Sequence, residues 1–355
     1  MDELVTVHQG LTFNNDPRYL YLVNMNMGMF GDREGGVPSP QANGFHWKDL
    51  PRCLADATCN GFNVVPDVLN LQEVSGTQCE AMDNELERVL NSGTNAWDYV
   101  YLNDYRTSSG HWMSNCILYR RARFDSATRQ IKYIAQQTGN GAGCATTDST
   151  RMLNFAAPDL VRKNAGLTGW LSLVDRHEDH FGPDIPGSYD TCDDSTFQAD
   201  GYHVQDWDTT QFCVYPNTRS AEAEMAVASL MIQAGDFNYN GKKCNGNSYY
   251  RCHYKAMVTG LGDCAGYTFT WPNLGWYDPV AALDTNVFTD SKSDIDGILV
   301  KNHTGAALMP PTTRNYTKAR IAKGFYSTAT DAYWPAEGEV NRISDHDGLF
   351  VRLEY

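Results

Sequence analysis

The strongest constraint on this chain is a series of short apolar runs, each ended or opened by a carboxylate, an amide or an imidazole. The runs are Tyr19 to Met25, Val64 to Val74, Ile117 to Arg120, Trp170 to Val174, Leu230 to Ala234, Ile295 to Val300 and Leu349 to Leu353. They are rich in branched and aromatic residues and bounded by Gly, Asn, Asp or Pro, which predicts β-strands. Asn24 and Asn26 end the first run, and Glu73 closes Val68-Leu69-Asn70-Leu71-Gln72. His177 follows the fourth run, and Asp236 and Asn238 follow the fifth. Asp294 and Asp296 open the sixth, and Asp345 and His346 open the last. Such strands bury their bodies in a common core and present their ends as a constellation held by a rigid sheet.

Helical periodicity is clearest in two places. Gln78 to Leu90 sets Met82, Leu86, Val89 and Leu90 on one stripe, and Ser220 to Met231 sets Ala221, Met225, Ala228 and Met231 similarly. Strands interleaved with helices predict a layered α/β domain. No repeat or low-complexity linker divides the 355 residues, so one domain over 1–355 is expected. Its chief irregularity is 182–218, acidic and aromatic, with Cys192 and Cys213 suited to staple it as an ordered insertion. Its rings are read first as packing of that insertion, and Asp200 to Asp208 lack the spacing of an EF-hand calcium loop.

Ten cysteines without any C-x-x-C pair argue against a zinc site and for disulfides, hence an oxidising, extracellular compartment. The short separations Cys53/Cys59, Cys192/Cys213 and Cys244/Cys252 suit loop staples, although sequence does not settle the pairing. No run is long and apolar enough to cross a membrane as a helix. The formal net charge of −15 means that no overall field draws this chain to a polyanion. A nucleic-acid substrate would have to be held locally, by metal or by a few basic side chains.

Hard oxygen donors from Asp, Glu and Asn suit Mg²⁺, which keeps coordination positions open for phosphate oxygens. A carboxylate can orient or deprotonate water, and a histidine can donate to developing charge. The residue set therefore points to phosphoryl transfer to water.

Five motifs occur in an order that resembles the DNase I-like endonuclease/exonuclease/phosphatase superfamily. They are Val23-Asn24-Met25-Asn26-Met27-Gly28, Leu71-Gln72-Glu73-Val74, Gly235-Asp236-Phe237-Asn238, Ser293-Asp294-Ile295-Asp296-Gly297-Ile298-Leu299-Val300 and Ser344-Asp345-His346. The resemblance implies a four-layer α/β/β/α sandwich. It also implies that Glu73 and Asn26 ligate the metal, with Asp345 near or on it. Asn24 and Asn238 would position phosphate oxygens and water, and Asp236 would orient or activate the water. Asp296 would fix a catalytic histidine, and His346 would stabilise the charged phosphorus centre. His177 best fits the register of the family's middle histidine, with His180 as the alternative. Arg151 lies where secreted DNases carry a phosphate-contacting Arg, with Arg162 competing. Asn26 stands where abasic-site enzymes carry Asp, so one ligand is neutral. The Trp-Cys-Asp-Arg signature of inositol 5-phosphatases is absent before Asp296. The expected activity is that of a secreted, monomeric nuclease using Mg²⁺, with Mn²⁺ or Ca²⁺ as alternatives. A sphingomyelinase-like phosphodiesterase is the competing enzyme, and a catalytically dead binding or toxin module is the competing class.

Overall fold

The computed structural model describes residues 11–16, 19–27, 49–56, 63–74, 76–90, 95–101, 105–106, 112–113, 115–124, 128–133, 151–156, 171–177, 222, 225, 230–236, 275–277, 296–302, 317–321 and 348–354. Two short pairs are formed by β1 (Thr12–Phe13) with β3 (Val64–Val65), and by β6 (Tyr105–Arg106) with β7 (Trp112–Met113). The larger sheet has six strands, β2 (Tyr19–Asn26), β4 (Val68–Gln72), β5 (Trp97–Tyr101), β8 (Asn115–Arg120), β14 (Thr317–Ile321) and β15 (Gly348–Glu354). Their order is β14-β15-β2-β4-β8-β5. The second sheet has five, β9 (Thr128–Tyr133), β10 (Arg151–Ala156), β11 (Leu171–His177), β12 (Leu230–Asp236) and β13 (Asp296–Asn302), in the order β13-β12-β11-β10-β9. One parallel pair lies inside each sheet, β2 with β4 and β11 with β12.

Strand alternation sends every second residue to the facing sheet. Leu20, Leu22, Val68, Ile117, Leu349 and Val351 of the larger sheet meet Leu171, Leu173, Leu230, Ile232, Ile298 and Val300 of the smaller one in a single buried cluster. Each fully buried Leu or Ile contributes about 1.5–3 kcal/mol. This apolar seam therefore holds the two sheets together.

The intervening residues of the larger sheet, among them Val23, Met25, Leu69, Leu71, Leu118 and Phe350, face two helices. These are α1 (Asp49–Ala55) and α2 (Gly76–Leu90). Met82, Leu86 and Leu90 of α2 are buried there, and Val89 packs against the same cluster, as the predicted stripe requires. Cys79 of α2 is bonded to Cys116 of β8, a pairing across 37 residues that the loop-staple expectation did not include. Cys53 of α1 is also disulfide-bonded. Cys59 and the Cys192/Cys213 and Cys244/Cys252 pairs lie outside the described residues.

Helices, a six-stranded sheet and a five-stranded sheet thus form three described layers. Beyond the smaller sheet, the indole N–H of Trp276 donates to Glu222 at 3.2 Å, and Lys301 of β13 pairs with the same carboxylate. Met225 and Trp276 are buried there. The described residues do not show the fourth layer that the resemblance implies, and the 182–218 insertion lies outside them.

Two expectations are corrected. The run Val64 to Val74 is not one strand but two, because Pro66 lacks an N–H for the ladder and Asp67 turns into the core. The Asp67 carboxylate accepts from Tyr21 N at 3.0 Å and from Asn14 Nδ2 at 2.7 Å, and pairs with Arg120 at 3.1 Å. At the other correction, the helical stretch read over Ser220 to Met231 does not include its end, because Leu230 and Met231 belong to β12, in line with the strand read over Leu230 to Ala234. Both are buried, and sheet pairing with Leu171 and Ser172 on one side and Asn302 and Lys301 on the other decides their conformation.

Candidate active site

At one end of the sandwich the facing residues change from apolar to polar. On β2 the inward series runs Leu20, Leu22, Asn24, Asn26; on β4 it runs Val68, Asn70, Gln72. On β11 it runs Leu171, Leu173, Asp175, and on β12 Leu230, Ile232, Ala234, Asp236. The parallel orientation of β2 with β4 and of β11 with β12 brings four C-terminal strand ends to one rim. This is why polar groups far apart in sequence meet here.

Asn26, Glu73 and Asp236 form the centre. The Asn26 Nδ2 group donates to Glu73 Oε1 at 3.2 Å and to Asp236 Oδ2 at 3.0 Å, bridging the two sheets. All three residues are buried. Alternation would send Glu73 to the helical side, because Leu71 packs there and Gln72 faces inward. A left-handed backbone at Glu73, with φ of 57°, breaks the alternation and returns its carboxylate to the crevice. Non-glycine residues adopt this region seldom and at a cost of about 1–3 kcal/mol, and such strain concentrates at functional sites.

In the five-stranded sheet, His177 pairs in register with Asp236, and Asp236 with Asp296. These three predicted residues therefore occupy one cross-strand row, and the Asp296 side chain is buried. Arg151 begins β10, which runs antiparallel to β11. The backbone thus places Arg151 at the rim end of its strand. Gly235, immediately before Asp236, has φ of +154°, and a Cβ there would lie 1.8 Å from the carbonyl oxygen of Arg176. Only glycine lets β12 run this close to β11. Asn238, Asp345 and His346, together with the alternatives His180 and Arg162, lie outside the described residues.

Beside this centre the predicted Asn24 joins a polar group whose members Asn70 and Asp175 the sequence did not single out. Asn24 Oδ1 accepts from Asn70 Nδ2 at 2.8 Å and from Gln72 Nε2 at 3.2 Å. Asp175 Oδ1 accepts from the same two nitrogens, at 3.0 Å and 2.6 Å. Burial pushes the Asp175 carboxyl well above the usual carboxylate range, against the opposing pull of Gln72, Asn70 and the Cys116 backbone. Polar residues at inward positions of otherwise apolar strands, Asn70 on β4 and Asp175 on β11, were the legible signal.

Glu73 and Asp236 share one amide group, which places two carboxylates and an amide together without a sulfur or imidazole donor from the described residues. That donor chemistry fits a hard divalent cation, which would offset two adjacent negative groups. No cluster of three or more His, Cys, Asp or Glu able to hold a metal occurs among the described residues.

Two facing mixed sheets, a helical layer and polar strand ends at one rim define the class: the chain has the DNase I-like endonuclease/exonuclease/phosphatase fold. The structure of an endonuclease/exonuclease/phosphatase family protein from Leptotrichia buccalis matches over 95% of this chain and 100% of its own, with a TM-score of 0.51 and 12% identity. Truncated Caenorhabditis elegans TDP2 is similar at a TM-score of 0.44 and 14% identity, over 95% of this chain and 98% of its own. The Haemophilus ducreyi cytolethal distending toxin reaches 0.37 and 12% over the same shares. At such identities the likeness is one of fold. No protein-family model matches the chain, and no curated protein matches it in sequence.

Proposed function

We propose that this protein is a secreted, divalent-metal-dependent phosphodiester hydrolase acting on nucleic acid. The observation that carries the reading is the Asn26–Glu73–Asp236 trio, which joins residues 47 and 210 positions apart at the rim between two sheets. Glu73 would hold the cation, with Asn26 and, from the last motif, Asp345 beside it. When bound, the cation supplies polarisation of the phosphoryl group and stabilisation of the leaving oxygen.

The chain's own groups supply the rest. Asp236, fixed by the Asn26 N–H, orients the attacking water and accepts its proton. Asn24 and Asn238 donate to phosphate oxygens. Asp296 orients a histidine, and His177 and His346 offset charge that develops on the phosphoryl oxygens. Arg151, at the start of β10, gives a cationic contact to phosphate. The disulfide chemistry of Cys53, Cys79 and Cys116 supports an oxidising compartment. No helix among the described residues is long and apolar enough to cross a membrane.

The test is plasmid nicking beside sphingomyelin hydrolysis, each with Mg²⁺ and with EDTA. Nicking that EDTA abolishes is the expected result, and cleavage of sphingomyelin alone would replace nucleic acid by a lipid headgroup. Asp236→Ala and His346→Ala should each lower turnover by at least about a hundredfold, with circular dichroism unchanged. Retained activity in either variant would defeat the mechanism.

A further inference from the structure

Asn24, Asn70, Gln72 and Asp175 form a closed square whose corners are two NH₂ groups and two oxygens. Each nitrogen, Asn70 Nδ2 and Gln72 Nε2, donates to both Asn24 Oδ1 and Asp175 Oδ1, at 2.6 to 3.2 Å. An NH₂ group has two hydrogens, and here all four are used. All four residues are completely buried between the sheets. Neither Asn70 nor Gln72 can rotate its amide without losing two bonds at once.

The consequence falls on Asn24. The two ends of a carboxamide are nearly the same shape, and its hydrogen-bond partners decide which way it points. Two donors aimed at one end fix that end as oxygen. Asn24 Nδ2 is thereby committed to the opposite direction, where it is buried without a hydrogen-bond partner among the described residues. Asn115, the cross-strand partner of Gln72, likewise has a buried Nδ2 with no described partner. Buried donors without acceptors are rare and costly in folded proteins. Two of them beside the Asn26–Glu73–Asp236 centre suit an incoming oxyanion.

We propose that Asp175 is a positioning residue for the phosphate subsite: through Asn70 and Gln72 it holds the Asn24 amide so that Nδ2 donates to a non-bridging oxygen of the substrate phosphate. The inference rests on the crevice being a phosphodiesterase site. Asp175 touches neither substrate nor metal and acts through the orientation of Asn24. The role needs a carbonyl-type Oδ1 rather than a charge. Asp175 Oδ1 accepts both bonds, and burial displaces the carboxyl upward. Asparagine reproduces that arrangement, and alanine removes it.

The experiment measures binding of inorganic phosphate to the full chain with Mg²⁺ by calorimetry, and thermal stability alongside. Asn24→Ala should weaken phosphate binding about tenfold, the loss of one hydrogen bond to a charged group. Asp175→Ala should weaken it to a similar degree, and the double variant no further. Asp175→Asn should stay within about twofold of the wild type, because its carbonyl still accepts both bonds. Should Asp175→Ala fail to fold, Asn70→Ala breaks the square at another corner and carries the same expectation. Losses that add to that of Asn24→Ala, or wild-type phosphate affinity in Asp175→Ala or Asn70→Ala, would overturn the proposal, as would a wild-type chain that binds no phosphate. Wild-type hydrolysis of DNA and sphingomyelin is scored separately. Phosphate binding with the expected variant pattern but no hydrolysis would sink the enzymatic reading and leave the positioning role standing.

Discussion

Single side chains depart from their local pattern where this chain does something beyond packing. Glu73 leaves strand geometry by a left-handed backbone and so joins Asn26 and Asp236. Asp83 on α2 is a second departure, with a different cause. Burial first, and then the charges of Glu87 and Asp98, push its carboxyl up to about 6, against the opposing charge of Arg121. The folded protein therefore binds this proton more tightly than the unfolded chain does. Stability from this group falls as pH rises from the ordinary carboxylate value of 3.8 to about 6, and above that the ionised group is a constant cost. Asp83→Asn should accordingly melt higher than the wild type at pH 7, and the gap should close near pH 4. Thermal melts at the two pH values check this, and an equal gap at both would refute it.

Among the elements, strands with an uninterrupted apolar run were legible and those without one were not. Apolar runs predicted β2, β4, β8, β11, β12, β13 and β15, because strands buried on both faces must be apolar throughout. β5, β9, β10 and β14 were missed. Three of these, β5, β9 and β14, are sheet edges, where charge and polarity replace apolar periodicity. In β5, Asp98 accepts from the Tyr119 hydroxyl at 2.9 Å and breaks the apolar run. The strand ends of the candidate site were legible for a related reason: Asn24, Glu73, Asp236 and Asp296 interrupt runs that need no polar group for packing. Asp175 and Asn70 were passed over because they interrupt such runs from within, and their mutual hydrogen bond spans the two sheets. The close approach of β11 and β12 gives an element-level prediction. Gly235→Ala drives a Cβ into the Arg176 carbonyl and should cost on the order of 3 kcal/mol. Urea unfolding measures the loss, and wild-type stability in this variant would refute the register at the site.

On the scale of the whole molecule, the sandwich divides its labour along the strands. The apolar half supplies the burial that keeps two sheets together, and the polar half is carried by it at a cost. This explains how a chain with a net charge of −15 gathers carboxylates into one crevice and still folds. The helical layer is fastened to the larger sheet by the Cys79–Cys116 bond, which closes a loop of 37 residues. Loop-closure entropy puts its contribution at about 3–4 kcal/mol. Cys79→Ser with Cys116→Ser should lower the stability in urea by that amount, and an unchanged midpoint would show the bond to be energetically idle. The pairing itself was not legible, because it depends on α2 lying across β8 rather than on spacing along the chain.

The central claim is that distant strand ends converge on one cation-binding crevice. Titration of Mn²⁺ followed by electron paramagnetic resonance tests it most directly, with the wild type beside Glu73→Gln. The expected result is a bound Mn²⁺ in the wild type and an affinity at least about tenfold weaker in Glu73→Gln, with circular dichroism unchanged. Equal Mn²⁺ affinity in the two proteins, or no bound Mn²⁺ in the wild type, would contradict it.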